Sequence, residues 1–141
     1  MIVKVAENAN EILDNIKLRD IIFVHGQNVP LELEHDGLDE FATLIIAYDN
    51  DQPVGCGRYR IVDNYAKIER IGVIDSKRGL GLGKEIMEFI ELTIKENTPI
   101  EVLKLNSQLH AAPFYDSLGY SRKGELFMDA GIEHIMMYKM I

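Results

Sequence analysis

From Leu82 to Lys95, the apolar residues Leu82, Ile86, Met87, Ile90 and Ile94 recur every three or four positions, opposite Lys84, Glu85, Glu88, Glu91 and Lys95. That period predicts a helix with one buried face. Upstream, Ala66 to Val73 reads as a strand. Asn97 and Pro99 stop the helix, and Ile100 to Leu105 reads as another strand. The connection is long enough for a right-handed crossover, which makes these two strands parallel neighbours.

The remaining pattern is mostly strand. Met1 to Glu7 alternates like an edge strand, and a helix capped by Asn8 or Asn10 is expected to run to about His25, with Ile12, Leu13, Ile16, Ile21 and Phe23 on its apolar side. Gln27 to Glu40 is broken by Pro30 and Gly37 and predicts a loop with one short turn. Glu32, Glu34, Asp36, Asp39 and Glu40 make it the most acidic run of the chain, read either as a solvated loop or as part of a site. Phe41 to Tyr48 and Val54 to Val62 predict antiparallel strands around the turn residues Asp49 to Pro53. Asp63-Asn64 then predicts a two-residue hairpin turn into the strand ending at Val73, which sets Arg58 opposite Glu69 and Arg60 opposite Lys67. Near the end, a helix from about Gln108 to Leu118 stops at Gly119, with Pro113 weakening its first half, and short strands follow at Tyr120 to Ser121, Glu125 to Met128 and His134 to Met140.

Composition narrows the field. With 141 residues and no linker or repeat, residues 1–141 read as a single domain large enough for a real core. A net charge of −8 argues against a nucleic-acid partner and is compatible with a cationic substrate, although acidity also serves solubility. The early charges do not form a secretory signal, and no apolar run reaches membrane-spanning length. Cys56 is the sole cysteine, which excludes an internal disulfide, points to a cytoplasmic location and reads as a core thiol. His25, His35, His110 and His134 have no ligand spacing with one another or with Cys56, so no metal is expected.

Between the strand and the long helix lies Val73-Ile74-Asp75-Ser76-Lys77-Arg78-Gly79-Leu80-Gly81-Leu82-Gly83-Lys84. Glycines at a helix start let several backbone N–H groups converge on one anion at the positive end of the helix dipole. The spacing fits neither common nucleotide loop: Lys84 is followed by Glu85, not Ser or Thr, and no third glycine completes G-x-G-x-x-G. What fits is Q/R-x-x-G-x-G/A, from Arg78 to Gly83.

This loop resembles the acyl-CoA pyrophosphate loop of the GNAT N-acetyltransferases. Asn106-Ser107-Gln108 followed by Pro113-Phe114-Tyr115-Asp116-Ser117-Leu118-Gly119-Tyr120 is similar to a second segment of that family. Arg19 to Pro30, Glu34-His35-Asp36 with Asp39, and Phe127 to His134 resemble its ElaA/YjcF-like branch, with Gly26 where the branch usually has glutamate and Glu133 where proline is common. The resemblance covers essentially the whole chain. It implies an α/β (α+β mixed) fold: a mixed, mostly antiparallel sheet of six to seven strands, splayed centrally, with helices on both faces.

The implied activity is transfer of an acetyl group from acetyl-CoA to a primary amine of a small molecule or peptide, by direct attack in a ternary complex. The alternative is a non-catalytic acyl-CoA-binding or sensing module, and family habit implies a homodimer. By resemblance, the backbone from Arg78 through Gly79, Leu80, Gly81, Leu82 and Gly83 to Lys84 holds the cofactor's diphosphate, with Arg78 and Lys84 adding charge. Ile71, Gly72 and Val73 meet the pantetheine and thioester, and Asn106, at the end of its strand, bonds the pantetheine amides. Tyr115 is the expected acid for the departing thiolate, or else a packed aromatic. Glu69 is the candidate base, or else the ion-pair partner of Arg58, with Glu34 and Asp36 in reserve. Arg58 is also a candidate for an acidic group on the acceptor, and His110 and His134 for bordering it.

Overall fold

A computed structural model describes residues 1–141. Its strands are β1 (Ile2–Val5), β2 (Thr43–Asp49), β3 (Gln52–Val62), β4 (Tyr65–Val73), β5 (Val102–Gln108), β6 (Ser121–Asp129) and β7 (Ile132–Met140). They form one sheet in the order β1-β2-β3-β4-β5-β7-β6, parallel only between β4 and β5. The helices are α1 (Ala9–Arg19), α2 (Leu31–Glu34), α3 (Leu82–Asn97) and α4 (Ala112–Ser117). No helix is long and apolar enough to cross a membrane.

Strand alternation distributes the core between two faces. Ile45 and Ala47 of β2 pack with Leu82, Ile86, Met87, Ile90 and Ile94 of α3, the face expected from the helical period. Leu44 and Ile46 point the other way and pack with Leu18 and Ile22. Gly55 and Gly57 of β3 let α3 come close: a Cβ would lie 2.7 Å from an Ile86 side-chain carbon at Gly55 and 3.1 Å from one of Ile90 at Gly57.

The first helix corrects the sequence reading. Asn8 caps α1 in a capping box with Glu11, as the pattern suggests, and a π-helical stretch, Asp20–His25, continues it. Its inward residues, however, are Asn15, Leu18, Arg19 and Ile22, whereas Ile12, Leu13 and Ile21 are exposed. The spacing is helical but half the face is polar. Asn15 Nδ2 donates to the carbonyls of Ile45 at 2.8 Å and Gly57 at 3.2 Å, so its burial is compensated by sheet carbonyls.

The β3–β4 hairpin turns at Asp63-Asn64, and the observed register places Arg58 against Glu69 and Arg60 against Lys67. Beyond that point Gly57 of β3, between Cys56 and Arg58, faces two residues of β4, Arg70 and Ile71, between Glu69 and Gly72. The extra residue makes a bulge, and Arg70 adopts φ +59°, a conformation non-glycine residues rarely take. β4 and β5 pair only from Ala66–Leu103 to Ile68–Leu105. Past Ile68, β4 stays with β3 while β5 stays with β7 as far as Gln108–His134, and the sheet splits.

Two other expectations shift. The fourth helix begins at Ala112 after a 3-10 turn, with Pro113 in its first turn where a missing N–H costs nothing. The last strands are longer than expected, two nine-residue strands joined at Ala130-Gly131.

Candidate active site

The split opens a cleft of about 360 Å³. One wall is β4 from Lys67 to Val73, with Arg78 and Gly83 at its end. The other is β5 from Leu105 to Gln108, followed by His110, Phe114 and Tyr115. Ile22, Phe23 and the segment from Gln27 to Glu34 close one side, and the β6–β7 hairpin contributes Asp129 and His134. Gln108 Nε2 donates to Gln27 Oε1 at 2.6 Å and ties β5 to the N-terminal segment across the opening.

The helix end at this cleft is built to receive an anion. Gly79 and Gly81 have φ of +77° and +83°, and no atom lies within 4 Å of where a Cβ would sit on either. Gly81 caps α3 without any side-chain cap bond, so the first-turn N–H groups have no competing side-chain acceptor. Gly83 serves packing instead, since a Cβ there would meet Phe114 at 3.2 Å. Arg78 lines the cleft, its Nε donating to the Val73 carbonyl at 3.2 Å and a terminal nitrogen meeting Asp75 at 2.9 Å. Lys84 is a correction: its side chain is 63% exposed, outside the cleft lining, and its ammonium lies 3.8 Å from Glu88. Helical spacing turns it away from the anion site its backbone helps to form.

Ile71, Gly72 and Val73 line the wall where β4 leaves β5. Gly72 is small because of a protein neighbour: a Cβ there would lie 3.0 Å from Ile22 and 3.3 Å from Phe23. Asn106 is exposed and faces the opening, but not at a strand end, because β5 continues to Gln108. It is the first residue past the last β4–β5 pair. Tyr115 also lines the cleft, packed edge-on against Phe114 at 5.0 Å and Tyr120 at 5.9 Å. Burial pushes its phenol well above the usual tyrosine range, so it stays protonated.

Within the acidic run, Glu32 and Glu40 are exposed, whereas Glu34, Asp36 and Asp39 are held by arginines. Glu34 is 1% exposed, accepts from Arg19 Nε at 2.7 Å and lies 2.6 Å from Arg70 Nε. Arg58 is 0% exposed and meets Asp36 at 2.8 Å, Asp39 at 3.0 Å and Glu69 at 3.2 Å. This corrects two expectations. Arg58 is sealed beneath carboxylates and outside the cleft lining, so it has no access to an acceptor, and Asp36 likewise lies outside that lining, bound to Arg58 and Arg70. Burial pushes the Asp36 carboxyl up, but hydrogen bonds and charge from Arg58 outweigh it and hold the group well below the carboxylate range.

Glu69 forms the expected pair with Arg58 and a closer one with Arg60, whose Nε lies at 2.6 Å, while its side chain still borders the cleft. Burial raises its pKa, but Arg60, Arg58 and Lys67 together bring it down. Cys56 is fully buried with its thiol pushed up to about 12 by burial, which suits a core residue and not a nucleophile. Asp20, Glu34 and His35 come within 4.8 Å of one another, yet Glu34 is taken by arginines and His35 Nε2 lies 2.6 Å from Asp20. Each of the three side chains thus has a protein partner.

Residues 22–141 match the family described as acetyltransferase (GNAT) domain. The chain belongs to the GNAT acetyltransferase family. It is 40% identical over 136 residues to an uncharacterized N-acetyltransferase, YjcF, of Bacillus subtilis (strain 168), covering 96% of each chain. Crystal structures share the fold: Escherichia coli ElaA has a TM-score of 0.87 at 24% identity, with 99% of each chain covered. A GNAT family acetyltransferase from Elizabethkingia anophelis with acetyl-CoA bound has a TM-score of 0.75 at 18% identity, covering 99% of this chain and 97% of that one. The YjcF relative places the chain with the ElaA/YjcF-like branch of the family.

Sequence reasoning missed several cleft residues of this GNAT chain. Gln27 and Gln108 stand in quoted motifs but bridge the opening only because the N-terminal segment folds over the split. Arg70 gave no signal, since nothing in a strand marks one arginine for positive φ. Its guanidinium donates to the carbonyls of Leu33 at 3.1 Å and Glu34 at 3.2 Å, fixing the cleft wall to the bulge.

Proposed function

We propose that the protein transfers an acetyl group from acetyl-CoA to a primary amine of a small molecule or peptide, by direct attack within a ternary complex. The observation that carries this reading is the single cleft that joins the uncapped N-terminus of α3 to the parted strands and to Tyr115. Support also comes from fold neighbours whose structures contain acetyl-CoA or coenzyme A, the latter an aminoglycoside 6'-N-acetyltransferase. An acidic chain with one sealed cysteine suits a cytoplasmic place of action.

The residues divide the work. N–H groups at the start of α3, presented by Gly79 and Gly81, hold the diphosphate, and Arg78 adds charge. Backbone of Ile71 to Val73 and the amide of Asn106 face each other across the split and align the pantetheine arm, which sets the thioester beside Tyr115. Tyr115 donates to the departing sulfur, and the burial that keeps its phenol protonated also disfavours a free thiolate there. Glu69, anionic and bordering the cleft, draws the acceptor's ammonium inward, although arginines weaken it as a proton acceptor.

Thiol release from acetyl-CoA, followed over a panel of primary amines, tests the reading. Amine-dependent release supports transfer. Acetyl-CoA binding without release for any amine favours the sensing module, and no binding contradicts both.

A further inference from the structure

We propose that His134 is the base that takes the proton from the acceptor's ammonium, an inference that rests on the acetyl-transfer reading above. His134 lies on β7 opposite Gln108, where β5 has already left β4, and it borders the cleft while only 8% exposed. Phe127 stacks on its ring at 5.7 Å with 27° between planes, which fixes the plane of the imidazole.

The hydrogen bonding settles which ring nitrogen is available. Nδ1 lies 2.7 Å from the Ile132 carbonyl, and a carbonyl only accepts, so Nδ1 carries the hydrogen. In the neutral ring the lone pair is then on Nε2. No protein group bonds Nε2, and it is not among the sealed polar atoms without partners, so it opens to the cleft.

The other candidates are occupied or poorly placed. Glu34 is shared by Arg19 and Arg70, and Glu69 by Arg58 and Arg60. His110 and Asp129 border the cleft from exposed positions with no side-chain hydrogen bond or ion pair to fix them. The charged and titratable groups sharing this cleft with His134 are Glu34 from α2, Lys67, Glu69 and Arg70 from β4, Arg78 before α3, His110 and Tyr115 after β5, and Asp129 from β6.

The proton balance is complete. Nε2 takes one proton from the ammonium, and the freed lone pair forms the C–N bond to the acetyl carbon. As the C–S bond breaks, sulfur takes the Tyr115 hydroxyl proton. The attacking nitrogen's second proton restores Tyr115, and the imidazolium releases its proton to solvent, giving amide, thiol and one proton.

Two measurements test this, both on the full chain. Long-range proton–nitrogen correlation spectra of the 15N-labelled protein at alkaline pH should show hydrogen on Nδ1 of His134 and none on Nε2, and the opposite tautomer overturns the proposal whatever the activity. Kinetics with an amine that the native protein acetylates should show kcat/KM at pH 7 falling by about 10²- to 10³-fold in His134→Gln, with acetyl-CoA affinity unchanged. The variant's rate should follow the free-amine fraction alone, rising continuously with pH, and imidazole should partly rescue His134→Ala. A loss under tenfold with the native profile retained overturns the assignment to His134 alone. Absence of turnover by the native protein with every amine overturns the acetyl-transfer reading and this inference with it.

Discussion

Arg19 and Glu34 are both 1% exposed, and their side chains meet at 2.6 Å between α1 and the turn that walls the cleft. Neither is stable there alone. Glu34→Gln leaves the buried guanidinium short of charge, and removing one partner of a buried pair costs about 3 kcal/mol or more. Urea and thermal unfolding should show that loss, with Tm lower by roughly 10 °C. An unchanged Tm would mean that Asp39, 2.8 Å from Arg19, alone compensates the arginine.

Acid should destabilise the protein through the same network. Asp36, Asp39 and Glu69 all have folded-state pKa values held down by arginines against the upward push of burial. A depressed carboxyl contributes stability above its unfolded value, about 3.9 for Asp and 4.3 for Glu, and loses it as pH falls toward the folded value. Unfolding free energy should therefore decline steadily below about pH 4. Asp36→Asn should make that decline shallower, and a stability that rises on acidification would contradict the network.

Gly81→Ala tests the anion cradle. Space for a Cβ is open, so the penalty comes only from forcing alanine to φ +83°, about 1–2 kcal/mol. If the loop relaxes to relieve that strain, the N–H groups lose their aim, and the acetyl-CoA Kd should rise about tenfold by calorimetry. Lys84→Ala, removing a side chain that points to solvent, should change the Kd less than threefold, since exposed charges contribute little.

How much of this was legible in the chain differs by element. The hairpin register followed from a two-residue turn, because the side-chain period of two leaves no freedom once the turn is fixed. The α3 face followed from its apolar period. The inward face of α1 did not, because Asn15 and Arg19 look like solvent residues until the carbonyls and carboxylates that satisfy them are brought in from β2, β3 and residues 34–39. For the same reason the acidic run stayed open between a solvated loop and a site, and Arg58 between an ion pair with Glu69 and an acceptor contact, whereas Arg58 and the carboxylates of Asp36 and Asp39 neutralise one another. The glycine loop and Tyr115 were visible as local motifs, but the exclusion of Lys84, Arg58 and Asp36 from the cleft depends on side-chain direction, which local sequence does not carry.

Tyr115→Phe keeps the edge-on packing with Phe114 and Tyr120 while deleting the hydroxyl. It should leave acetyl-CoA affinity unchanged and lower kcat by about 10²-fold or more. Unchanged turnover at every pH would remove Tyr115 as the proton donor.

The most direct measurement of the central claim is thiol release from acetyl-CoA by the native protein against a diverse set of primary amines, paired with mass detection of the acetylated amine. Equal amounts of free thiol and N-acetylated product, both dependent on the amine, are the predicted result. Tight acetyl-CoA binding with neither product for any amine would contradict it.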